Sequence, residues 1–202
     1  SEMCIRDRIN TVTHNEGGEF GKKLASSNDF LFVSAPLHNN YQGIVYCYNK
    51  DFETVQTITE TNTIQFGLST SVNSLNMLVI SAKNRVYEYV YNGTSFYYLN
   101  DIYPPETTEY EILGTSIYEN FGNQVVIDKT GRYLYISHSY LNYKSGAVYV
   151  YENIFNKRKQ IQKIITNPLV NYNIFGNKIA VRDDYLVILS NEAVSVYHTG
   201  YY

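Results

Sequence analysis

The sequence predicts an all-β protein, a β-propeller built of four-stranded antiparallel blades with four repeats present. Three observations carry that expectation. Phe-Gly recurs at Phe20-Gly21, Phe66-Gly67, Phe121-Gly122 and Phe175-Gly176, at spacings of 46, 55 and 54 residues, a period that marks repeat architectures. The surrounding text repeats as well, with Tyr118-Glu119-Asn120-Phe121-Gly122-Asn123 matching Tyr172-Asn173-Ile174-Phe175-Gly176-Asn177. The composition, with 22 Tyr and 9 Phe but no Trp and 4 Pro in 202 residues, favours side chains that suit a pleated, half-buried surface. An AT-rich coding sequence is a second source of that bias.

Each Phe-Gly opens the same series of elements. A short alternating segment comes first, over Lys22 to Ala25, Leu68 to Val72, Asn123 to Ile127 and Asn177 to Val181. A polar turn follows at Ser26 to Asp29, Asn73 to Asn76, Asp128 to Gly131 and Arg182 to Asp184. An apolar run comes next, over Phe30 to Ala35, Met77 to Ala82, Tyr133 to Ser137 and Tyr185 to Ser190. A third run, rich in Val and Tyr, covers Gly43 to Tyr48, Arg85 to Tyr91, Gly146 to Tyr151 and Ala193 to Tyr197. A more polar fourth segment closes three units, over Thr54 to Thr59, Ser95 to Ile102 and Lys159 to Ile165. Four short strands per period with turn signals between them predict an antiparallel meander. The apolar second and third strands are expected to be covered on both faces, and the polar fourth to form an edge. No segment of useful length has apolar residues at helical spacing.

Meanders of this size cannot bury both faces alone, so the units must stack, and radial stacking is the usual solution. Ile9 to Thr13 alternates like an orphan fourth strand, while the last unit lacks one. Two readings follow: a strand clasp closing a small four-bladed ring, or a slice of a larger ring whose further blades lie outside this chain. Residues 1–8 read SEMCIRDR, which resembles translated sequencing-adapter read-through in a metagenomic contig. They are treated as a non-native leader, which favours the slice; residues 9–202 form one propeller domain or fragment.

Phe-Gly, a strand, Ser34-Ala35-Pro36, and then Gly43 leading into Val45-Tyr46-Cys47-Tyr48 resemble the FG-GAP repeat of integrin α-subunit propellers and related extracellular proteins. The third repeat keeps Phe-Gly and Gly146-Ala147-Val148-Tyr149-Val150-Tyr151, with Ser137-His138-Ser139 at the Gly-Ala-Pro position. The second and fourth keep Phe-Gly and the Val/Tyr strand but lose that element. The resemblance covers residues 9 to 202. It implies an adhesion-type, protein-binding module at the cell surface or outside the cell. It also implies calcium loops between the first two strands of a blade. Those turns offer only Asp29, Asp128 and Asp183-Asp184, and none supplies the alternating carboxylates that calcium's six to eight oxygens require. No calcium site is expected.

Other chemistry is sparse. His14, His38, His138 and His198 are dispersed with no ligand-spaced partner, so no zinc site is expected. There is no nucleophile elbow, phosphate loop or His-Glu-x-x-His. A sialidase-like Tyr nucleophile is less in keeping with tyrosines that fall on strand positions in every repeat, where packing explains them. The chain is therefore expected to be no enzyme and to need no cofactor. A net charge of −3 and pI near 5.8 argue against nucleic acid. The basic run Lys157-Arg158-Lys159 is expected to be a solvated strand face or turn. No apolar window is long enough for direct membrane insertion. Cys4 and Cys47 form no recognisable disulfide framework, and Cys47 reads as a small buried strand residue.

Asn92-Gly93-Thr94 fits the glycosylation sequon, and Asn-Gly at that place predicts a type I′ hairpin. The connections Ser34 to Gly43 and Ser137 to Gly146 are long and align without gaps, whereas their counterparts in repeats two and four are short. Plain loop variation accounts for this. The functional alternative is a ligand face carrying His38, Tyr41, Tyr140, Tyr143 and Lys144. The expected function is non-catalytic recognition of a protein or glycan through the loop face. The competing readings are a propeller within a larger surface hydrolase and an architectural repeat of a surface or virion protein.

Overall fold

The computed structural model describes residues 11–13, 17–105, 120–166 and 171–199. Sheet I contains β1 (Leu24–Ser26), β2 (Leu31–Ala35), β3 (Ile44–Tyr48) and β4 (Thr54–Ile58). Sheet II contains β5 (Ser69–Val72), β6 (Met77–Ala82), β7 (Arg85–Tyr91) and β8 (Phe96–Ile102). Sheet III contains β9 (Phe121–Ile127), β10 (Tyr133–His138), β11 (Ala147–Ile154) and β12 (Lys157–Ile164). Sheet IV has β13 (Lys178–Arg182), β14 (Tyr185–Leu189) and β15 (Val194–His198) among the described residues. Each sheet is an antiparallel meander in chain order. Two helical turns, α1 (His38–Tyr41) and α2 (Leu141–Lys144), occupy the long connections. Every predicted strand within the repeats is present, with limits shifted by at most three residues.

The sheets pack face to face in sequence, and three apolar layers fill the junctions. Phe32, Val45, Cys47, Phe66, Leu78 and Tyr87 lie between sheets I and II. Val79, Val86, Val125, Ile136 and Tyr149 lie between II and III. Tyr135, Val148, Phe175, Ile179 and Ile188 lie between III and IV. The second and third strands of sheets I to III are therefore largely buried on both faces, whereas β4 and β12 are largely exposed, as their polarity predicts. Sheet IV departs from the expectation: β14 is only half covered, and β15 exposes Val194 and Val196 by 63% and 62%, because only sheet III packs on it among the described residues. Residues 11–13 form no strand; Val12 and Phe20 pack on the outer face of sheet I, against the layer of Val33, Ile44 and Tyr46.

This packing gives the Phe-Gly pair its physical meaning. Phe66, Phe121 and Phe175 are at most 1% exposed. In three sheets the ring meets a third-strand tyrosine edge-on, with centroids 5.5 Å apart for Phe20–Tyr46 and Phe66–Tyr87 and 5.9 Å for Phe121–Tyr149, a favoured aromatic geometry. The glycine then abuts the preceding sheet. A Cβ on Gly67, Gly122 or Gly176 would lie 2.9, 2.9 or 3.0 Å from the Cβ of Ser34, Ser81 or Ser137. Those serines each accept a backbone N–H from the start of their own sheet, from Lys23 just before β1 and from Ser69 and Gln124 in β5 and β9, at 3.0, 2.9 and 2.9 Å. A small, hydrogen-bonded residue thus faces a residue without a side chain at each junction.

The first-to-second-strand turns line one rim and link sheet to sheet. Asn76 Nδ2 donates to Asp29 Oδ2 at 3.3 Å, Asn73 Nδ2 donates to the Asp128 carbonyl at 3.4 Å, and Lys129 pairs with Asp183 at 3.2 Å. Three of the four carboxylates considered for calcium, Asp29, Asp128 and Asp183, already serve the backbone or a neighbour. Asp128 accepts from the Tyr133 N–H at 2.9 Å and the Thr130 hydroxyl at 2.5 Å. Lys50 and Asn76 hold the Asp29 carboxyl below its usual range. Among the described residues, no three metal-binding side chains gather.

Two expectations need correction. Lys157 and Lys159 are exposed, but Arg158 is not part of a solvated face: its side chain is 2% exposed and pairs at 2.8 Å with Glu88, which is 4% exposed. A strand-edge cation is buried here because sheet II supplies its carboxylate. The β7–β8 hairpin is not type I′. Four residues, Asn92 to Ser95, separate the paired Tyr91 and Phe96, and of Asn92 and Gly93 only the glycine has positive φ, at 95°. The Asn92 side chain instead accepts the N–H groups of Thr94 and Ser95, each at 2.9 Å, an Asx-type closure.

Candidate functional site at the loop rim

The opposite rim carries the second-to-third-strand loops together with the connections between sheets. In α1, Asn39, Asn40 and Tyr41 have φ of 49°, 54° and 68°, a left-handed turn that asparagine tolerates best among residues with a side chain. The turn aims its carbonyls at sheet II. Gln65 donates its N–H to the Tyr41 carbonyl at 2.6 Å, Phe66 donates to that of Gln42 at 2.9 Å, and Gly43 bridges Phe66 in parallel. Sheet III does the same to sheet IV. Ile174 donates to Lys144 at 2.7 Å, Phe175 donates to Ser145 at 2.9 Å, and Gly146 bridges Phe175. A Cβ on Gly43 or Gly146 would lie 2.2 Å from the facing Phe carbonyl oxygen. The two long loops are inter-sheet latches, which is why they match without gaps.

The residues singled out from the sequence divide accordingly. His38 is half-buried in the first latch, and Tyr41 is 59% exposed beside it. In the second latch the Lys144 ammonium lies 5.2 Å from the Tyr140 ring centroid and 5.8 Å from that of Tyr172. Tyr172, a ring that the sequence reading missed, is 65% exposed. The Tyr143 side chain lies outside the described residues. The two groups belong to sheets I and III, which are separated by sheet II. Asn92 sits in a hairpin at the other rim, in an exposed position compatible with a glycan.

A third group was not anticipated. Between the sheet I–II connection and the short β6–β7 turn lies a cavity of about 300 Å³, lined by Asn62, Thr63, Ile64, Lys83, Arg85 and Tyr87 among others. Arg85 Nε donates to Asp101 Oδ2 at 2.8 Å, and a second guanidinium nitrogen pairs with the same oxygen. The guanidinium carbon lies 4.9 Å from the Tyr87 ring centroid and 4.6 Å from that of Tyr103, within cation–π range. Burial alone would raise the Asp101 carboxyl; Arg85, helped by Tyr103 and Tyr98, outweighs it and holds the group below its usual range. Tyr87 is 1% exposed, and burial, only partly offset by the Arg85 guanidinium beside it, pushes its phenol up to about 12. Two residues further along β7, the Tyr89 hydroxyl donates to Glu60 at 2.5 Å, and burial, followed by that carboxylate, raises its phenol.

The strand registers show how this group departs from the repeat. Arg85 faces Ala82 as Ile44 faces Ala35 and Ala147 faces His138. Asp101, opposite Tyr87, stands where sheets I and III have Thr57 and Lys163. An Arg–Asp pair thus replaces an aliphatic residue and an unrelated one in a single sheet. Such a local departure from an otherwise regular pattern is where function is expected to reside. Aligning the four units position by position, rather than searching for motifs, would have exposed it.

No protein-family model matches the chain, and no curated protein matches it. Solved structures do. A protein of Bacteroides fragilis provisionally described as a 6-phosphogluconolactonase superposes with a TM-score of 0.59 at 11% identity, over 84% of this chain and 47% of that one. A functionally unknown protein from Desulfotomaculum acetoxidans gives 0.62 at 11% identity, over 89% and 51%. The chain therefore spans about half the length of these structures. At such identity the likeness concerns the fold alone.

Proposed function

We propose that the four sheets are blades of a β-propeller of the FG-GAP kind, and that the chain is a non-catalytic recognition module. It binds a protein or glycan through its loop rim, at the cell surface or outside the cell. The observation that carries this reading is the loop rim itself, which carries a cavity and the exposed rings of Tyr41, Tyr103 and Tyr172, which are 59%, 56% and 65% exposed. Aromatic rings on a rigid sheet scaffold offer contact area at little ordering cost.

The test is to probe glycan and extracellular-protein arrays with the labelled chain, alongside the combined variant Tyr41→Ala, Tyr103→Ala, Tyr172→Ala and a control altered at the other rim, Asn92→Ala. Binding that the triple variant loses and the control keeps supports the rim. Binding that all three retain equally refutes it.

A further inference from the structure

Sheet IV is covered on the side of sheet III and open on the other, and the repeat shows what the open side corresponds to. Its β14–β15 pair Val187–Val196 stands in register where the other sheets have Phe32–Cys47, Val79–Glu88 and Tyr135–Val150. Its pair Leu189–Val194 stands where they have Ser34–Val45, Ser81–Val86 and Ser137–Val148. Every one of these counterparts is at most 5% exposed, because the next sheet lies on it. Val194 and Val196 are instead 63% and 62% exposed. Tyr185, two residues from Val187 and so on the same face, is 53% exposed. The side by which each other sheet joins its neighbour is therefore bare at sheet IV, and a contiguous apolar patch of this kind marks an interaction surface.

Three observations narrow what covers it. The counterpart faces are all covered by β-sheet, so the surface suits a sheet better than a lone strand or a helix. Leu189 then argues against another sheet of the Phe-Gly kind docked in the same way. At the three junctions the serine in this position lies 2.9 to 3.0 Å from where a Cβ on the next Phe-Gly glycine would stand. Leucine puts three carbons where serine has one hydroxyl oxygen, and a glycine backbone could not come as close without overpacking. The third observation is charge. Strands β14 and β15, Tyr185–Leu189 and Val194–His198, contain no Asp, Glu, Lys or Arg, and the cations Lys178 and Arg182 lie to one side on β13. A two-fold contact lays a patch on itself, which an uncharged patch permits and a charged one opposes.

From this we propose that the open face of sheet IV is an interface with a second copy of the chain, the two sheets packing face to face about a two-fold axis over Val187, Val194 and Val196. The interface is separate from the loop rim and does not depend on what the rim binds. Three short strands make a small contact, so the dimer is expected to be a weak one.

Sedimentation velocity of the whole chain, over about 1 to 100 µM where weak dimers dissociate, tests this. A single monomer–dimer equilibrium is expected. Val196→Asp should weaken it about a hundredfold or more, because the two-fold axis buries the unpaired carboxylate twice. Val194→Asp is a second variant with the same expectation. Leu24→Asp, which makes the same change at a position 64% exposed on sheet I, should leave the equilibrium unchanged. All three replace exposed residues, and unchanged far-UV circular dichroism certifies each fold.

A chain that stays monomeric throughout overturns the proposal and leaves the face to a different sheet. Oligomers that keep growing with concentration also overturn it, since open-ended growth means that the face meets an unlike surface. A dimer that neither valine variant weakens, or that Leu24→Asp weakens equally, places the contact elsewhere and overturns it as well.

Discussion

The Glu88–Arg158 pair provides the sharpest test of how the sheets are held. Arg158 Nε donates to Glu88 Oε1 at 2.8 Å, a terminal nitrogen lies 2.8 Å from the same oxygen, and the other terminal nitrogen donates to the Arg132 carbonyl at 2.9 Å. With side chains 2% and 4% exposed, neither charge could be hydrated if its partner were removed. Truncating one partner of such a pair costs about 3–5 kcal/mol, because the other is left buried and uncompensated, whereas replacing both with apolar residues of similar volume is close to neutral. For a chain of this size each kcal/mol moves Tm by about 2–4 °C, so Glu88→Leu or Arg158→Met alone should lower Tm by at least about 6 °C. The double variant should recover most of that loss, giving a coupling energy above about 2 kcal/mol in a urea-denaturation cycle followed by circular dichroism. Single variants within 1 kcal/mol of the parent, or a double variant whose loss equals the sum of the singles, would refute the view that this pair joins sheets II and III.

Other consequences can be checked with the same protein. Gly43→Ala and Gly146→Ala would each place a Cβ 2.2 Å from a carbonyl oxygen at φ near +85°, and each should cost more than about 2 kcal/mol. Gly21→Ala meets nothing within 4 Å and should cost only the strain of its φ, about 1 kcal/mol; equal losses at all three sites would contradict the latch. Burial and the neighbouring Lys178 ammonium lower the Lys23 amine from 10.5 to about 8. The folded chain then binds fewer protons than the unfolded one between those values, so stability should rise as pH climbs from about 8 to 10.5. Lys23→Met should flatten that rise, and peptide-mapped acylation at pH 8 should find Lys23 among the most reactive amines. The Cys47 thiol, 0% exposed and pushed up to about 12 by burial, should resist alkylation at pH 8 until the chain unfolds; native-state modification at that residue would show that the layer between sheets I and II opens.

The strands were legible because strand pairing obeys a local rule. Alternation, turn residues and the Phe-Gly register are written within each repeat of about fifty residues, and the predicted limits shift by no more than three. What could not be read is what depends on the neighbouring sheet. Arg158 looks like part of a basic run until Glu88, seventy residues earlier in the chain, is brought to 2.8 Å from it. The same holds for the rim. Tyr140 and Lys144 could be paired from sequence, but Tyr172 joins them only through its place in the fold, 5.8 Å from the Lys144 ammonium. Arg85 and Asp101 carry no motif, and each becomes informative only when compared with its counterparts in the other sheets.

The alternation of long and short loops follows from the same geometry. Junctions I–II and III–IV are each closed by a loop carbonyl pair and a parallel bridge to the next Phe-Gly. At that rim sheet II has only the two-residue turn Lys83-Asn84. Among the described residues, its junction with sheet III is joined by side chains: the buried Glu88–Arg158 pair, and the Ser69 and Ser71 hydroxyls, which accept the N–H groups of Val125 and Ile127 at 3.2 and 3.1 Å. The buried charge pair thus falls at the junction whose second-to-third-strand turn is only two residues long.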